Sequence, residues 1–576
     1  MHFNLLRSSY PTVPLYADGY ELLASGAFLT SVSVPKNKFF DTLTTTGSAG
    51  GCRFFPASQP LFSRHNRVLP RSTNSRLTFG GKASIVKESG ITPLRKGGIT
   101  LQQVEHSAYI AQKKPAAERL LKKLLEKFAY ASVLLTDCDG KSYQVSKSGT
   151  QLRQSTMFGG KGMVVKVYDG RGYAEYSGNE LADDTVDAIA AEIETRLVPL
   201  AKSLPEGLTQ SAYHMLADEP CIFSKATSYA LHPRDLGDEA IVDRLTALRE
   251  KLLRESGQLL DAMVAMEYQE YHKLFLSAHR QMEQNVLWTT GALGAVAGRD
   301  QRVEIGYKGF SNLGGAEVLE GMEAQIPQVA RTALELLDAQ PIEPGTYECI
   351  CDPDVTGMIV HEAFGHGVEM DMFVKDRALA QQYVGKPVAS ELVTMHDGCA
   401  QDEVATYFFD DEGVLAHDTV VIDHGILKAG ISDAQSAMHL GTEPTGNGRR
   451  ESYERKAYTR MTNTYFEPGK DKLEDMIASV KSGMLLEQPS SGMEDPKNWG
   501  IQCMVSIARE IKDGKLTGRV FSPIVLTGYV PDLLKSITMV SDTLALGGSG
   551  ACGKGYKEWV KVSDGGPYIK ANIRLG

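Results

Sequence analysis

From Ala116 onward, apolar residues recur at regular intervals. Leu120, Leu121, Leu124, Leu125 and Phe128 keep the three- and four-residue spacing of one helix face and predict an amphipathic helix starting near Ala116. Ser132 to Leu135 and Met163 to Tyr168 read as strands, with Asp139-Gly140 and Asp169-Gly170 as turn signals. A further helix is predicted from about Asp184, with Val186, Ile189, Ile193 and Leu197 along one stripe. Between Leu208 and Gln340 two longer helices are marked by Ile241, Leu245, Leu248 and Leu252 and by Ile326, Val329, Ala330, Ala333 and Leu337. They enclose β-type stretches at Met263 to Leu276, Val286 to Thr290 and Arg302 to Tyr307. From Gly345 the texture changes to short strands, glycines and turns, with one helical stretch after Asp352. No internal repeat of fixed period is present.

These patterns predict an α+β protein. A small N-terminal α/β domain covers 112–205, an α/β middle region 206–342, and a mostly antiparallel β C-terminal domain 343–576 carries a metal-binding helix. Residues 1–111 lack sustained periodicity and are rich in Ser, Thr, Arg and Gly, so they read as a disordered N-terminal extension. The same acid-poor composition suits an organellar transit peptide or a misassigned start, and Glu21 to Val34 is too interrupted for a signal-peptide core.

Composition narrows the function classes. With 576 residues, 42% of them hydrophobic, the chain has ample material for a core, which excludes wholesale disorder. No run of about 18 apolar residues occurs, which excludes an ordinary transmembrane helix. The expectation is a soluble, cytoplasmic protein with no membrane partner, or an organelle-matrix protein if residues 1–111 include a transit peptide. The net charge of −10 argues against a general nucleic-acid binder. That average hides an asymmetry, because residues 1–111 hold twelve Lys and Arg against five Asp and Glu, a net of +7 that leaves −17 on the remainder. Eight cysteines are too sparse and irregular for a disulfide scaffold and fit a reducing compartment. Cys349 and Cys351 fall on one face of a strand, and no second CxxC pair completes a zinc knuckle, so they read as small strand residues.

The segment DPDVTGMIVHEAFGHGVEMD, Asp352 to Asp371, carries the chemistry. Asp352 and Pro353 form an N-cap and first-turn pair, and Asp354 sits where the helix dipole favours an anion. The helix that follows delivers His361, Glu362 and His366. In an HExxH zinc helix the histidines are four apart and differ by about 40° around the axis. Here they are five apart, about 140° on an ideal helix, so they can share one metal only if the helix is widened or broken between them. A π-type bulge with its i→i+5 repeat realigns the rings, and Gly365 is expected to supply the freedom for it. A catalytic zinc also needs a third protein ligand and an open position for water. Glu369, Asp371, His396, His417, His424 and Cys552 are the candidates. Cys552 lies in a glycine-rich run from Gly547 to Gly555, where Lys554 would favour the thiolate. The same run, Gly548-x4-Gly553-Lys554, nearly completes a phosphate-binding loop. It has Gly555 where Ser or Thr should bind Mg²⁺, which leaves the nucleotide reading weak.

The run HEAFGHGVEMD, the later PTGNGRRESY (Pro444 to Tyr453), RMTNTYFEPG (Arg460 to Gly469) and GSGACGKG (Gly548 to Gly555) together resemble the TldD/PmbA family of metallopeptidases. The resemblance covers about Ala116 to the C-terminus and is strongest from Gly345. The intact HExxxH resembles the catalytic TldD-type subunit rather than the PmbA (TldE) type, which lacks it. The resemblance implies zinc held by His361, His366 and Cys552, with Glu362 as general base. It also implies hydrolysis of short or unfolded peptides, and a dimer, often with a PmbA/TldE-like subunit.

Arg449, Arg450 and Asn463 are candidate substrate-binding residues. The arginines can hold a peptide carboxylate or an oxyanion, or else pair with local acids such as Glu451; Asn463 can line the substrate path with Arg460 and Thr462, or satisfy backbone groups. Asp410-Asp411-Glu412 before Gly413 reads as a hairpin turn, with Ca²⁺ binding as the alternative. His272 and His279 lack matched spacing, and Trp288 and Trp499 read as packing residues. Two rival functions remain in view at this level. One is a non-enzymatic assembly subunit with a structural metal, and the other is a nucleotide-binding ATPase built on the Gly548 to Lys554 run.

Overall fold

The computed structural model describes residues 95–96, 99–154, 158, 160–198, 214–398, 402–554 and 558–576. The reading of residues 1–94 as an extension therefore lies outside the described residues. Closer to residue 111 order begins earlier than expected: Gln102–Gln103 pairs with Ser228–Tyr229, and helix α1 spans Ala108–Leu125 rather than starting near Ala116. Ser107 is the reason, because its hydroxyl caps the Ile110 N–H at 3.0 Å and starts the helix upstream of its apolar stripe.

The expected strands join into one layer. β1 (Tyr130–Ser146), β2 (Gly160–Tyr168), β3 (Tyr173–Gly178), β4 (Leu259–Ser277), β5 (Arg280–Arg299) and β6 (Arg302–Asn312) run in the order β6-β5-β4-β1-β2-β3. Two short strands complete this eight-stranded sheet. Segments 112–205 and 206–342 therefore contribute to a single sheet through the long β1–β4 ladder. Asp139-Gly140 is not a turn; the two residues lie inside β1, opposite Glu270 and Gln269, where a nineteen-residue partner strand overrides the local turn propensity. Asp169-Gly170 does turn, with Gly170 at φ 93°.

Alternation explains why these strands are apolar on both sides. Val133, Leu135, Tyr143 and Val145 of β1 face the helices, including α1, α2 (Asp238–Arg254) and α3 (Ile326–Leu336). Leu134 of β1 and Phe275 of β4 point the other way, against Phe409 of the C-terminal region. The sheet is thus covered on both faces.

The C-terminal region is mostly antiparallel, as its texture predicts. β7 (Gly345–Cys351), β8 (Ser482–Asp495), β9 (Gly500–Lys512), β10 (Ile524–Tyr529) and β11 (Ile569–Leu575) pair in sequence, and β11 returns to β7, closing a five-strand ring. A second sheet of six strands includes Asn463–Phe466 and Ser563–Gly566. Between the two sheets lies the segment after Asp352, in contact with both. Residues 93–576 belong to one compact unit. No helix among the described residues is long and apolar enough to cross a membrane.

Candidate metal centre

Asp352 performs the expected cap, its carboxylate accepting the Val355 N–H at 2.7 Å, and Pro353 opens the helix Pro353–Met358. The helix then widens into a π-helical turn, Ile359–Gly365, closed by a bond from the His366 N–H to the His361 carbonyl. That i→i+5 repeat brings the two imidazoles to 5.2 Å between centroids, with their planes at 86°. Gly365 serves this turn differently from expectation. Its φ of −59° is ordinary helix, so no special backbone freedom is used. What requires glycine is close approach, because a Cβ there would overlap Met461 Sδ and press on Val360 O at 3.0 Å.

Cys552 arrives from the hairpin of Ala551–Lys554 and Glu558–Lys561, and its Sγ lies 3.6 Å from His366 Nε2. Donor atoms of His361, His366 and Cys552 all fall within 4.8 Å of one another. Burial alone would raise the thiol, but the imidazoles and the Arg460 guanidinium hold Cys552 well below its ordinary value. Lys554, expected to favour the thiolate, is instead bound by Glu369 (2.9 Å) and Asp371 (2.7 Å). Arg460, 1% exposed, takes the neighbouring role and donates to the carbonyls of Cys552 (2.6 Å) and Glu558 (2.8 Å), tying the hairpin down. Burial presses His361 down, but the Cys552 thiolate lifts it to about 9.

The other ligand candidates lie outside this cluster. Glu369 accepts from His366 Nδ1 at 3.3 Å, orienting the ring rather than adding a ligand, and its cationic neighbours hold it at about 2 against its burial. His396 is bound by Asp418 and Glu467, and His424 is a surface residue. The phosphate-loop reading fails, since Ala551–Lys554 is a hairpin strand and Lys554 is spent on two carboxylates. Glu362 is partly exposed, its Oε2 3.8 Å from His366 Nε2 and its stem against Gly492.

The proposed substrate contacts are engaged elsewhere. Arg449 donates to the carbonyls of Met461 and Lys561, Arg450 makes a bidentate pair with Glu175, and buried Asn463 donates to Gly398 O and Thr406 Oγ1. Asp410, Asp411 and Glu412 do form a turn at Gly413, but a buried one, neutralised by Lys273 and Lys166 and by backbone N–H groups. His272 is fixed between Glu270 and Asn285, and both Trp288 and Trp499 are fully buried.

Two carboxyls near the centre escaped the sequence reading. Burial pushes Asp564 up to about 7, opposed by His361 and assisted by Glu362. Glu494 sits beside Gly367 with both oxygens buried, and burial pushes it well above the carboxylate range. Neither has a local motif, since each reaches the centre only through sheet pairing.

The donors present suit a borderline-soft divalent ion. Two imidazoles and a thiolate match zinc chemistry, and His361 Nδ1 is buried without a hydrogen-bond partner among the described residues. Residues 344–573 match a family profile described as the PmbA/TldA metallopeptidase C-terminal domain. Residues 344–573 thus carry the C-terminal domain of the TldD/PmbA family. The chain is 32% identical over 280 residues to a metalloprotease of Methanothermobacter thermautotrophicus, covering 48% of this chain and 61% of that one. It is also 37% identical over 248 residues to a metalloprotease TldD homolog of Buchnera aphidicola, covering 42% and 50% respectively. The matches thus span about half to three fifths of these relatives. The crystal structure of TldE from Thermococcus kodakarensis has the same fold, with a TM-score of 0.62 at 18% identity, over 80% of this chain and all of that one.

Proposed function

We propose that this chain is a zinc-dependent peptidase of the TldD type, acting on short or unfolded peptides. The observation that carries the reading is the convergence of His361, His366 and Cys552, on elements 186 residues apart, beside the partly exposed carboxylate of Glu362. When bound, zinc supplies Lewis acidity, lowering the pKa of a water and polarising a carbonyl. Glu362, next to a ligand in sequence, takes a proton from the attacking water on its carboxylate and returns it to the leaving amine. Glu369 and Lys554 keep the His366 ring oriented through Nδ1, and Arg460 keeps the Cys552 strand in place. A closed structural site needs a fourth protein donor, and Glu369, the carboxylate nearest His366 in sequence, is already held on His366 and Lys554. Arg449, Arg450 and Asn463 take no part in this chemistry, since the terminal guanidinium nitrogens and the Asn463 amide already bond within the protein.

The same reading places the chain in a dimer, with a second copy or a PmbA/TldE-like subunit, in the cytoplasm or an organelle matrix. The direct test is zinc quantification on wild type and His361→Ala, beside peptide digestion by wild type and Glu362→Gln. Wild type should hold one zinc per chain and His361→Ala should lose it. Glu362→Gln should keep the metal while turnover falls by about 10²- to 10⁴-fold. Wild type without stoichiometric metal, alone and with its partner, overturns the mechanism.

A further inference from the structure

The hairpin that carries Cys552 has a second face. Cys552 pairs with Val560, and Ala551 with Lys561, so strand alternation sends Lys561 to the side away from the thiolate. There it meets the eight-stranded sheet. The Lys561 ammonium stands 4.7 Å from the Trp288 ring centroid, and the residue is 4% exposed. The carboxylates that influence it, Glu267 and Glu403, make neither a salt bridge nor a hydrogen bond with it. Burial presses the ammonium down to about 8 despite them, which marks a cation short of counter-charge. The Trp288 indole N–H is also buried without a hydrogen-bond partner among the described residues.

Lys561 and Trp288 both line a cavity of about 50 Å³ whose walls also include Phe158, Tyr271, Val404 and Tyr407. Most of the other polar groups lining it are already engaged. Arg449 is spent on two carbonyls and lies on the Tyr407 ring, and Lys273 is paired with Asp411. Asp410 accepts the N–H groups of Glu412, Val414 and Gly448, and Asp411 also accepts that of Arg450. The spare capacity is thus the Lys561 ammonium and the Trp288 indole N–H, with the buried Arg450 Nε also lacking a hydrogen-bond partner among the described residues. The volume suits roughly four waters or one acetate-sized group.

We propose that this cavity is a binding site for a small carboxylate, whose oxygens take the Lys561 ammonium and the Trp288 indole N–H and whose short carbon stem lies among the aromatic rings. A charge-assisted bond to a buried ammonium gives the affinity, and the cavity size limits the ligand. Either a free small acid or the terminal carboxylate of a peptide presents this chemistry. The inference does not rest on the peptidase reading, because it concerns binding at groups that the proposed mechanism does not use.

The test is titration of the full chain with sodium acetate against sodium chloride at equal ionic strength, read by tryptophan emission and by thermal unfolding. Wild type should give a saturable emission change and a rise in Tm with acetate alone. Lys561→Met should weaken acetate binding at least about tenfold. Trp288→Phe, which keeps an aromatic ring under Lys561, should lose the emission change and retain a smaller Tm rise. N-acetylglycylglycine competing with acetate assigns the ligand to a chain terminus, and failure to compete assigns it to a free acid; either result supports the site. No acetate-specific rise in wild-type Tm overturns the proposal, as does undiminished binding in Lys561→Met. If Lys561→Met fails to fold, the wild-type and Trp288→Phe titrations decide the matter.

Discussion

Individual side chains at the centre divide into those that would donate to a metal and those that hold the donors. His361, Glu362 and His366 were legible in the sequence because one short element carries all three. Cys552 was one candidate among several until the motifs were taken together, since nothing within a few residues of it records that it meets His366. Glu369 shows why the supporting residues are harder to read. Its spacing suggests a ligand, and only the position of Lys554 shows that its carboxylate is committed to the far nitrogen of His366. Replacing it with glutamine removes a charge-assisted bond without enlarging the side chain. Glu369→Gln should therefore weaken zinc affinity about 10- to 100-fold, measured by competition with a calibrated chelator, while far-ultraviolet circular dichroism stays unchanged.

Among elements, the turn Ile359–Gly365 was the most predictable from pattern, because five-residue spacing of two ligands has few helical solutions. The reason for Gly365 was not predictable, since Met461 comes from the link between the strands Tyr458–Thr459 and Asn463–Phe466, far along the chain. Gly365→Ala should cost about 1–3 kcal/mol through the steric press on Met461 and Val360, seen as a lower Tm, and should reduce bound zinc by displacing His366 from Cys552. Met461→Ala in the same chain should recover part of the lost zinc by clearing that space. β1 teaches the opposite lesson. A strong local turn signal at Asp139-Gly140 yields to pairing with β4, and no window of sequence around it contains the partner.

At the scale of the molecule, helix stripes and strand texture revealed the α+β class, but not the merging of two segments into one sheet or the closure of β11 onto β7. Those depend on which distant strands pair. One buried charge network sits within the large sheet. Burial would raise Glu270, yet bonds from His232 and His272 and the charge of Arg234 hold it at about 2. Its folded value lies below the ordinary 4.5, so its contribution is complete above about pH 4.5 and is lost as pH falls toward 2. Glu270→Gln should lower stability at neutral pH and flatten the acid limb between those values, measured as denaturant midpoint against pH. The return of β11 to β7 has a consequence of another kind. It brings the strand segment that follows the Cys552 hairpin back against the strand that leads into the histidine turn, so the donor triad exists only while that backbone ring is shut. Metal retention then becomes a gauge of ring closure, and partial opening of the C-terminal region should release the ion before the large sheet begins to unravel.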